Sequence, residues 1–259
     1  MDDWFNAADE WVLLIVTIVL LVGAAEGGAI LARRHRARRA GEADRFVSTL
    51  AAPAIGLLAL MIGFTFAMAL TRYELRVSDV VDAANAIEKA ELRGLMLPEP
   101  HRSVVLPLLK QYATLRVAHR GAQIASPEMV AANRQSLEVL DQLWHEGMAA
   151  AASNPQVVPS GMFLEAINDL FDLNAKRLAA GRNRVPTPIF LGLIGIAIVA
   201  LGYSGYGAHG ADNYRRAAMW IMAGVIGAVI ILIVDLDRPQ RGLITVSQQP
   251  LLDLIARTK

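Results

Sequence analysis

Four separate stretches of this chain are apolar over the length that a helix needs to cross a lipid bilayer. A spanning helix takes about 20 mainly apolar residues to cross ~30 Å of hydrocarbon. The stretches cover residues 11–32, 46–70, 187–206 and 217–234. A buried core helix of a soluble protein is usually shorter and keeps a polar stripe. Four such stretches in one chain therefore predict an integral membrane protein with four transmembrane helices.

Arginine residues predict which side of the membrane each loop occupies, because short loops rich in Lys and Arg stay in the cytoplasm. Such a loop joins the first two spans, and Arg215 and Arg216 lie between the last two. Residues 71–186 and the C-terminal tail are therefore predicted to be extracytoplasmic, in a multi-pass membrane protein. The first loop is also expected to bind anionic lipid headgroups. Its arginines are Arg33, Arg34, Arg36, Arg38 and Arg39.

Nucleic acid is the other partner that an arginine-rich run can indicate. The net charge of the whole chain is only +1, so the extended basic surface that nucleic acid requires is missing. A short cluster beside a membrane helix is more often a topology signal. No nucleic-acid partner is expected.

The region between the second and third spans has apolar residues at helical spacing and no strand-like alternation. Prolines and glycines divide it into helices predicted near 77–95, 106–117, 127–151 and 162–180, the first running on from the second span. The predicted fold is all-α, with four transmembrane helices and a helical extramembrane domain inserted between the second and third. The predicted divisions are 1–70 with the first two spans, 71–186 as the extramembrane domain, 187–236 with the last two spans, and 237–259 as a tail with a short amphipathic helix.

Residue types that carry enzyme chemistry are missing or unsuitably spaced. The chain has no cysteine, and its five histidines, at 35, 101, 119, 145 and 209, lack metal-ligand spacing. Neither a phosphate-binding glycine loop nor a nucleophile elbow is present in the sequence. We therefore predict no catalytic residue, no metal and no cofactor, and we expect that the protein is not an enzyme.

Glu26 is an ionisable residue inside the first predicted span. Such residues are energetically costly and often functional, but Arg33 is only about 10 Å away along the helix. Glu26 is therefore expected either to be functional, or to extend toward the inner interface or pair with a loop arginine. Other carboxylates and amides flank the membrane, where they form either intrahelical ion pairs or a cation site. The candidates for an ion site or polar network are Glu26, Asp82, Asn85, Glu88, Asp169, Asp172, Asp235 and Asp237.

Small residues recur along the spans, where they let helices approach closely in lipid. Gly192, Gly195 and Gly202 on the third span are examples. Packing within one subunit and packing between subunits explain them equally well. Around a symmetry axis, the side chains of the second span would form an apolar constriction. The pore-lining candidates are Gly56, Met61, Gly63, Phe64, Thr65 and Phe66.

Several short motifs resemble those of the bestrophin-like bacterial membrane proteins. They occupy residues 64–76, 83–87, 97–100, 173–177, 184–186 and 236–251. The resemblance covers nearly the whole chain, and the Leu236-Asp237-Arg238-Pro239 tail is its most specific part. It implies four membrane segments, a homo-oligomer, with a pentamer favoured, and an apolar neck on the second segment. Two departures are the predicted outer position of the middle region and an acidic run shorter than the bestrophin calcium clasp.

These observations lead to two hypotheses of different classes. The first is a homo-oligomeric ion channel for inorganic ions, with the second span lining the pore and the middle domain forming a vestibule. It is favoured by the apolar, small-residue second span that continues into a charged helix, and by the resemblance. The alternative is a non-conducting membrane scaffold or sensor whose outer domain binds a partner or ligand, because no polar pore lining is evident.

Overall fold

The computed structural model describes residues 10–36, 49–118, 126–153, 157–207, 213–238 and 243–257. Arg38 and Arg39 of the predicted lipid-binding loop lie outside these ranges. The described residues contain helices, turns and loops but no strand, so the predicted all-α fold is confirmed. In chain order the helices are α1 Glu10–Arg36, α2 Ala51–Gly94, α3 His101–Ala118, α4 Pro127–Ser153, α5 Val157–Arg182, α6 Thr187–Gly207, α7 Asn213–Asp237 and α8 Gln249–Arg257.

Four of these helices, α1, α2, α6 and α7, are long and apolar enough to cross a bilayer, which confirms the four predicted spans. The second span continues without a break, since α2 is one helix of 44 residues. Its single proline, Pro53, lies in the first turn, where the missing N–H has no intrahelical partner to lose. The apolar and the charged halves of α2 therefore share one backbone.

Two of the middle helices begin earlier than the sequence predicts. α3 begins at His101 because the Glu99 carboxylate caps it, accepting hydrogen bonds from the Ser103 backbone N–H at 3.3 Å and the Ser103 hydroxyl at 2.6 Å. α5 begins at Val157, because Pro159 in its first turn is compatible with a helix. The predicted starts at 106 and 162 were too late by about one turn.

The first of two compact units contains residues 1–71 and 185–238. In its described part α1 packs along both α6 and α7. At the crossing of α1 and α6, a Cβ on Gly28 would overlap the carbonyl oxygen of Gly202, and a Cβ on Gly205 would overlap that of Ala25. The missing side chains are what allows the two backbones to approach this closely.

The second unit contains residues 72–184 and 239–259. α4 packs on α3 and on α5, and the tail helix α8 packs on α3. Leu251 and Leu254 of α8 belong to the same hydrophobic core as the helices before them. Large side chains in the centre of this core are Tyr112, Leu140, Leu143, Phe163, Ile167 and Leu170, each at most 1% exposed.

Candidate functional site

The apolar part of α2 has one buried and one exposed face. Leu58, Thr65 and Ala69 are at most 2% exposed, and their spacing of seven and four residues places them on one side of the helix. The other side is exposed, and Phe64 is the most exposed large apolar residue of α2, at 64%. The apolar window of α2 is also the least buried of the four spans. The rest of the described chain therefore leaves an apolar surface of α2 uncovered.

The six pore-lining candidates divide between these two faces. Gly56, Gly63 and Phe64 are exposed, Met61 and Phe66 are half-buried, and Thr65 is buried. The Thr65 hydroxyl donates a hydrogen bond to the Met61 carbonyl oxygen at 2.7 Å, so it is satisfied within its own helix. Neighbouring residues point about 100° apart around a helix, so the four consecutive candidates at 63–66 cannot all share one face.

Glycines on the exposed face of α2 have open space beside them. A Cβ on Gly56 or Gly63 would meet nothing within 4 Å. The same is true of Gly192 and Gly195 on α6, whereas Gly202 lies at the crossing with α1. Most of these glycines therefore do not lie where described helices of one chain contact each other.

Glu26 is held by an ion pair with α7. Its carboxylate accepts hydrogen bonds from Arg216 Nη2 at 2.8 Å and Nε at 3.3 Å. It also accepts one from Trp220 Nε1 at 3.0 Å. The partner is therefore an arginine near the start of the fourth span, and both charges are satisfied as a membrane segment requires. The only sequence signal for Trp220 is its position one helical turn after Arg216.

In the second unit, ion pairs join α2 to α5. Lys89 Nζ lies 2.7 Å from Asp169 Oδ2, and Arg93 Nη1 lies 2.9 Å from Glu165 Oε2. The Arg93 guanidinium also donates to the Met162 carbonyl oxygen at 2.6 Å. The expectation of intrahelical pairs is wrong for these residues, because their partners lie on another helix. These pairs are partly exposed, so solvent screening keeps their contribution to stability small.

The remaining carboxylates and amides of the predicted network do not meet in one place. Lys176 Nζ lies 3.9 Å from Asp82 Oδ2, while Asn85, Glu88 and Asp172 are exposed. Across the described ranges no group of three or more His, Asp or Glu residues is arranged to hold a metal ion. The arrangement is one of separate ion pairs and solvated side chains.

Asp235 and Asp237 are buried at the end of α7, at 3% and 5% exposure. Both carboxylate oxygens of Asp237 accept the backbone N–H of Val185, at 3.0 and 3.1 Å. Val185 comes just before α6, so this contact joins the end of one membrane helix to the start of another. Two of the motifs that carry the resemblance, 184–186 and 236–251, therefore meet in the structure.

Comparisons with known proteins agree with this architecture. The family model of the bestrophin-like domain matches residues 19–251, while no curated protein sequence matches the chain. A crystal structure of a bacterial bestrophin homologue from Klebsiella pneumoniae, a single-residue variant, has a TM-score of 0.68 at 13% identity, covering 94% of this chain and 99% of that chain. A second variant gives 0.66 at 11% identity, covering 97% of each chain. A further structure of this homologue gives 0.63 at 12%, covering 96% of this chain and 99% of that one. At such identities the likeness shows the fold.

Proposed function

The chain belongs to the bestrophin-like family, and from this we propose that it forms a homo-oligomeric ion channel in a bacterial inner membrane. Bestrophins are ion channels, so membership supports a membrane channel at the level of the family. A pentamer is the assembly that the resemblance implies. In this proposal α2 of every subunit lines the pore, and the channel conducts inorganic ions.

The observation that carries the proposal is the uncovered apolar face of α2. Gly56 and Gly63 lie on this face with open space beside them, and the side chain of Phe64 is exposed there. Small residues on an uncovered face favour close contact with another helix, which here is α2 of a neighbouring subunit. Phe64 side chains around the axis would form an apolar constriction that gates by dewetting.

The charged half of α2 supports a vestibule in front of this constriction. Asn85 and Glu88 are exposed, while Lys89 and Arg93 are engaged by α5. Polar groups on a vestibule wall would bias which ions reach the constriction. We propose that the second units of the subunits surround this vestibule.

Sidedness forms part of the proposal. The arginines between the first two spans favour an inner, cytoplasmic loop, which puts the second unit outside the cytoplasm. Arg33 and Arg34 are exposed near the end of α1, where anionic headgroups of the inner leaflet would meet them.

Ion flux into liposomes tests the proposal. The purified protein is reconstituted, and flux is measured under gradients of potassium chloride and sodium chloride at several membrane potentials. We expect flux for the wild type and faster flux for Phe64→Ala, since a smaller apolar ring is easier to wet. The control is Leu191→Ala, which removes a large exposed apolar side chain from α6 and should leave flux unchanged.

Two results would count against the channel. A reconstituted protein that carries no ions under any gradient would favour the scaffold or sensor alternative. Flux that responds equally to Phe64→Ala and Leu191→Ala would remove α2 from the pore wall.

A further inference from the structure

The second unit contains two arginines that its core does not neutralise. Arg116 lies on the face of α3 that also carries the buried residues Val105, Leu109 and Tyr112, and it is only 5% exposed. Arg177 of α5 is half-buried. Arginine is among the residues that are least often buried without a partner. The surroundings of these two guanidinium groups therefore need an explanation.

Three helices supply the groups around the two arginines. Arg116 Nη1 donates to the Tyr112 hydroxyl oxygen at 3.3 Å, and its guanidinium carbon lies 5.9 Å from the centre of that ring. Arg177 Nη2 lies 3.7 Å from the sulfur of Met129 on α4. Asn174, one turn before Arg177, donates from Nδ2 to Asn133 Oδ1 on α4 at 3.0 Å. We call these residues the arginine cluster: Tyr112, Arg116, Met129, Asn133, Asn174 and Arg177.

The cluster carries positive charge without a carboxylate. Burial and then the neighbouring Arg116 charge lower the pKa of Arg177 to about 10, so Arg177 remains a cation at neutral pH. Among the described residues neither Arg116 nor Arg177 has an acidic partner. The stretches of this unit that lie outside the described residues contain no Asp or Glu in their sequence. They are 119–125, 154–156, 239–242 and 258–259.

Two hydrogen-bonding atoms of the arginine cluster are buried and unused. Arg116 Nε and Asn174 Oδ1 are buried and have no partner, and Asn174 is only 2% exposed. The Tyr112 hydroxyl accepts a hydrogen bond from Arg116, so its own proton is available for an acceptor. A joint flip of the Asn133 and Asn174 carboxamides keeps their mutual bond and turns the unused oxygen into an N–H donor. The cluster thus offers several donors to one acceptor-rich group.

We propose that the arginine cluster binds a small oxyanion of the phosphate, sulfate or carboxylate kind. Guanidinium groups match such anions because their N–H donors meet two oxygens at once. An anion would neutralise two like charges whose burial is otherwise uncompensated. The half-buried position of Arg177 gives the anion a way in from solvent.

Calorimetry with inorganic phosphate tests the proposal on the full chain in detergent micelles. The protein is first exchanged into a buffer free of phosphate and sulfate, and phosphate, sulfate, acetate and chloride are then titrated separately. We expect saturable binding of at least one oxyanion, more tightly than chloride. Because a hydrogen bond to a charged group is worth about 1.5–3 kcal/mol, Arg116→Met and Arg177→Met should each weaken it by about tenfold to a hundredfold.

Two further variants separate binding from folding. Arg134→Met removes an exposed arginine of α4 in the same unit and should leave the affinity unchanged. Arg177→Lys keeps the charge without the forked donors, so it should fold and bind with intermediate affinity. Without anion, Arg177→Met should unfold at a temperature equal to or above that of the wild type, because it removes a charge that repels Arg116.

Three outcomes would overturn the proposal. The first is the absence of saturable oxyanion binding by the wild type. The second is binding that Arg134→Met weakens as much as Arg177→Met does. The third is a change in oligomeric state for Arg177→Met without any oxyanion binding, which would mean that an acidic side chain of another copy occupies the cluster.

Discussion

Gly205→Ala is predicted to force apart α1 and α6 at their crossing. The new Cβ would lie 2.7 Å from the carbonyl carbon and 3.0 Å from the Cα of Ala25, and it would overlap the carbonyl oxygen. Carbon atoms pack best about 3.5–4.0 Å apart, so the helices must move by roughly 1 Å. All three contacted atoms belong to the backbone, so no side-chain rotation can relieve the overlap.

The expected magnitude follows from a comparison with Gly195→Ala on the same helix, where a Cβ would meet nothing within 4 Å. Overpacking of this kind typically costs about 1–3 kcal/mol. Any gain in helix propensity, up to about 1 kcal/mol for alanine over glycine, applies to both positions. The difference between the two variants in free energy of unfolding therefore isolates the clash, at about 1–3 kcal/mol.

Equilibrium unfolding in mixed detergent micelles, followed by circular dichroism at helical wavelengths, measures that difference. Gly195→Ala should unfold at the same denaturant concentration as the wild type or a higher one. Gly205→Ala should unfold at a clearly lower concentration. If the two variants unfold together, the close approach of α1 and α6 is refuted.

Three other predictions rest on separate features of the chain. Glu26→Gln should lower the free energy of unfolding by about 1.5–3 kcal/mol, because it leaves the Arg216 guanidinium with a neutral partner. Arg33→Gln is the control. Equal effects of the two variants in the same micelle assay would contradict the pairing of Glu26 with Arg216. The Ser103 hydroxyl and then Arg102 hold the pKa of Glu99 below its ordinary 4.5, so Glu99 stabilises the fold above that pH and loses this effect as the pH falls through its lowered pKa. The melting temperature of the wild type should therefore fall more steeply below pH 4.5 than that of Glu99→Gln. Parallel falls in the two melting temperatures would contradict the cap. Alkaline phosphatase fused after Lys259 should be active, and green fluorescent protein fused at the same site should not fluoresce. The reverse pattern would place the tail in the cytoplasm.

The sequence predicts the four spans well because their signal is local. Length and the exclusion of charge identify a membrane helix without any knowledge of its neighbours, and α1, α2, α6 and α7 are found where those windows lie. The continuity of α2 is also a local property, because no proline follows Pro53 within this helix. Helix starts were less well predicted, since the Glu99 cap acts only through hydrogen bonds to its side chain.

Contacts between helices were predicted less well, because a periodic pattern does not give the crossing point. Gly192 and Gly195 belong to a regular row, yet Gly28 and Gly205 are the residues that touch another backbone. The partner of Glu26 is another example. Arg216 is distant in sequence, and nothing in the pattern favours it over Arg33.

The arginine cluster shows which signal was overlooked. Arg116 follows Leu109 and Tyr112 at helical spacing, so its place on a buried face could have been read from the sequence. Its proximity to Arg177 depends on how α3, α4 and α5 pack, which only the structure gives.

Cysteine accessibility at Phe64 tests the central claim most directly, because the chain has no native cysteine. The two variants are Phe64→Cys on the exposed face of α2 and Leu58→Cys on its buried face. The current through each is recorded in planar bilayers before and after addition of a charged thiosulfonate reagent. A pore lined by the exposed face predicts that the reagent blocks current through Phe64→Cys and leaves Leu58→Cys unchanged. Unaltered current through a Phe64→Cys channel shown by mass spectrometry to be fully labelled would contradict it.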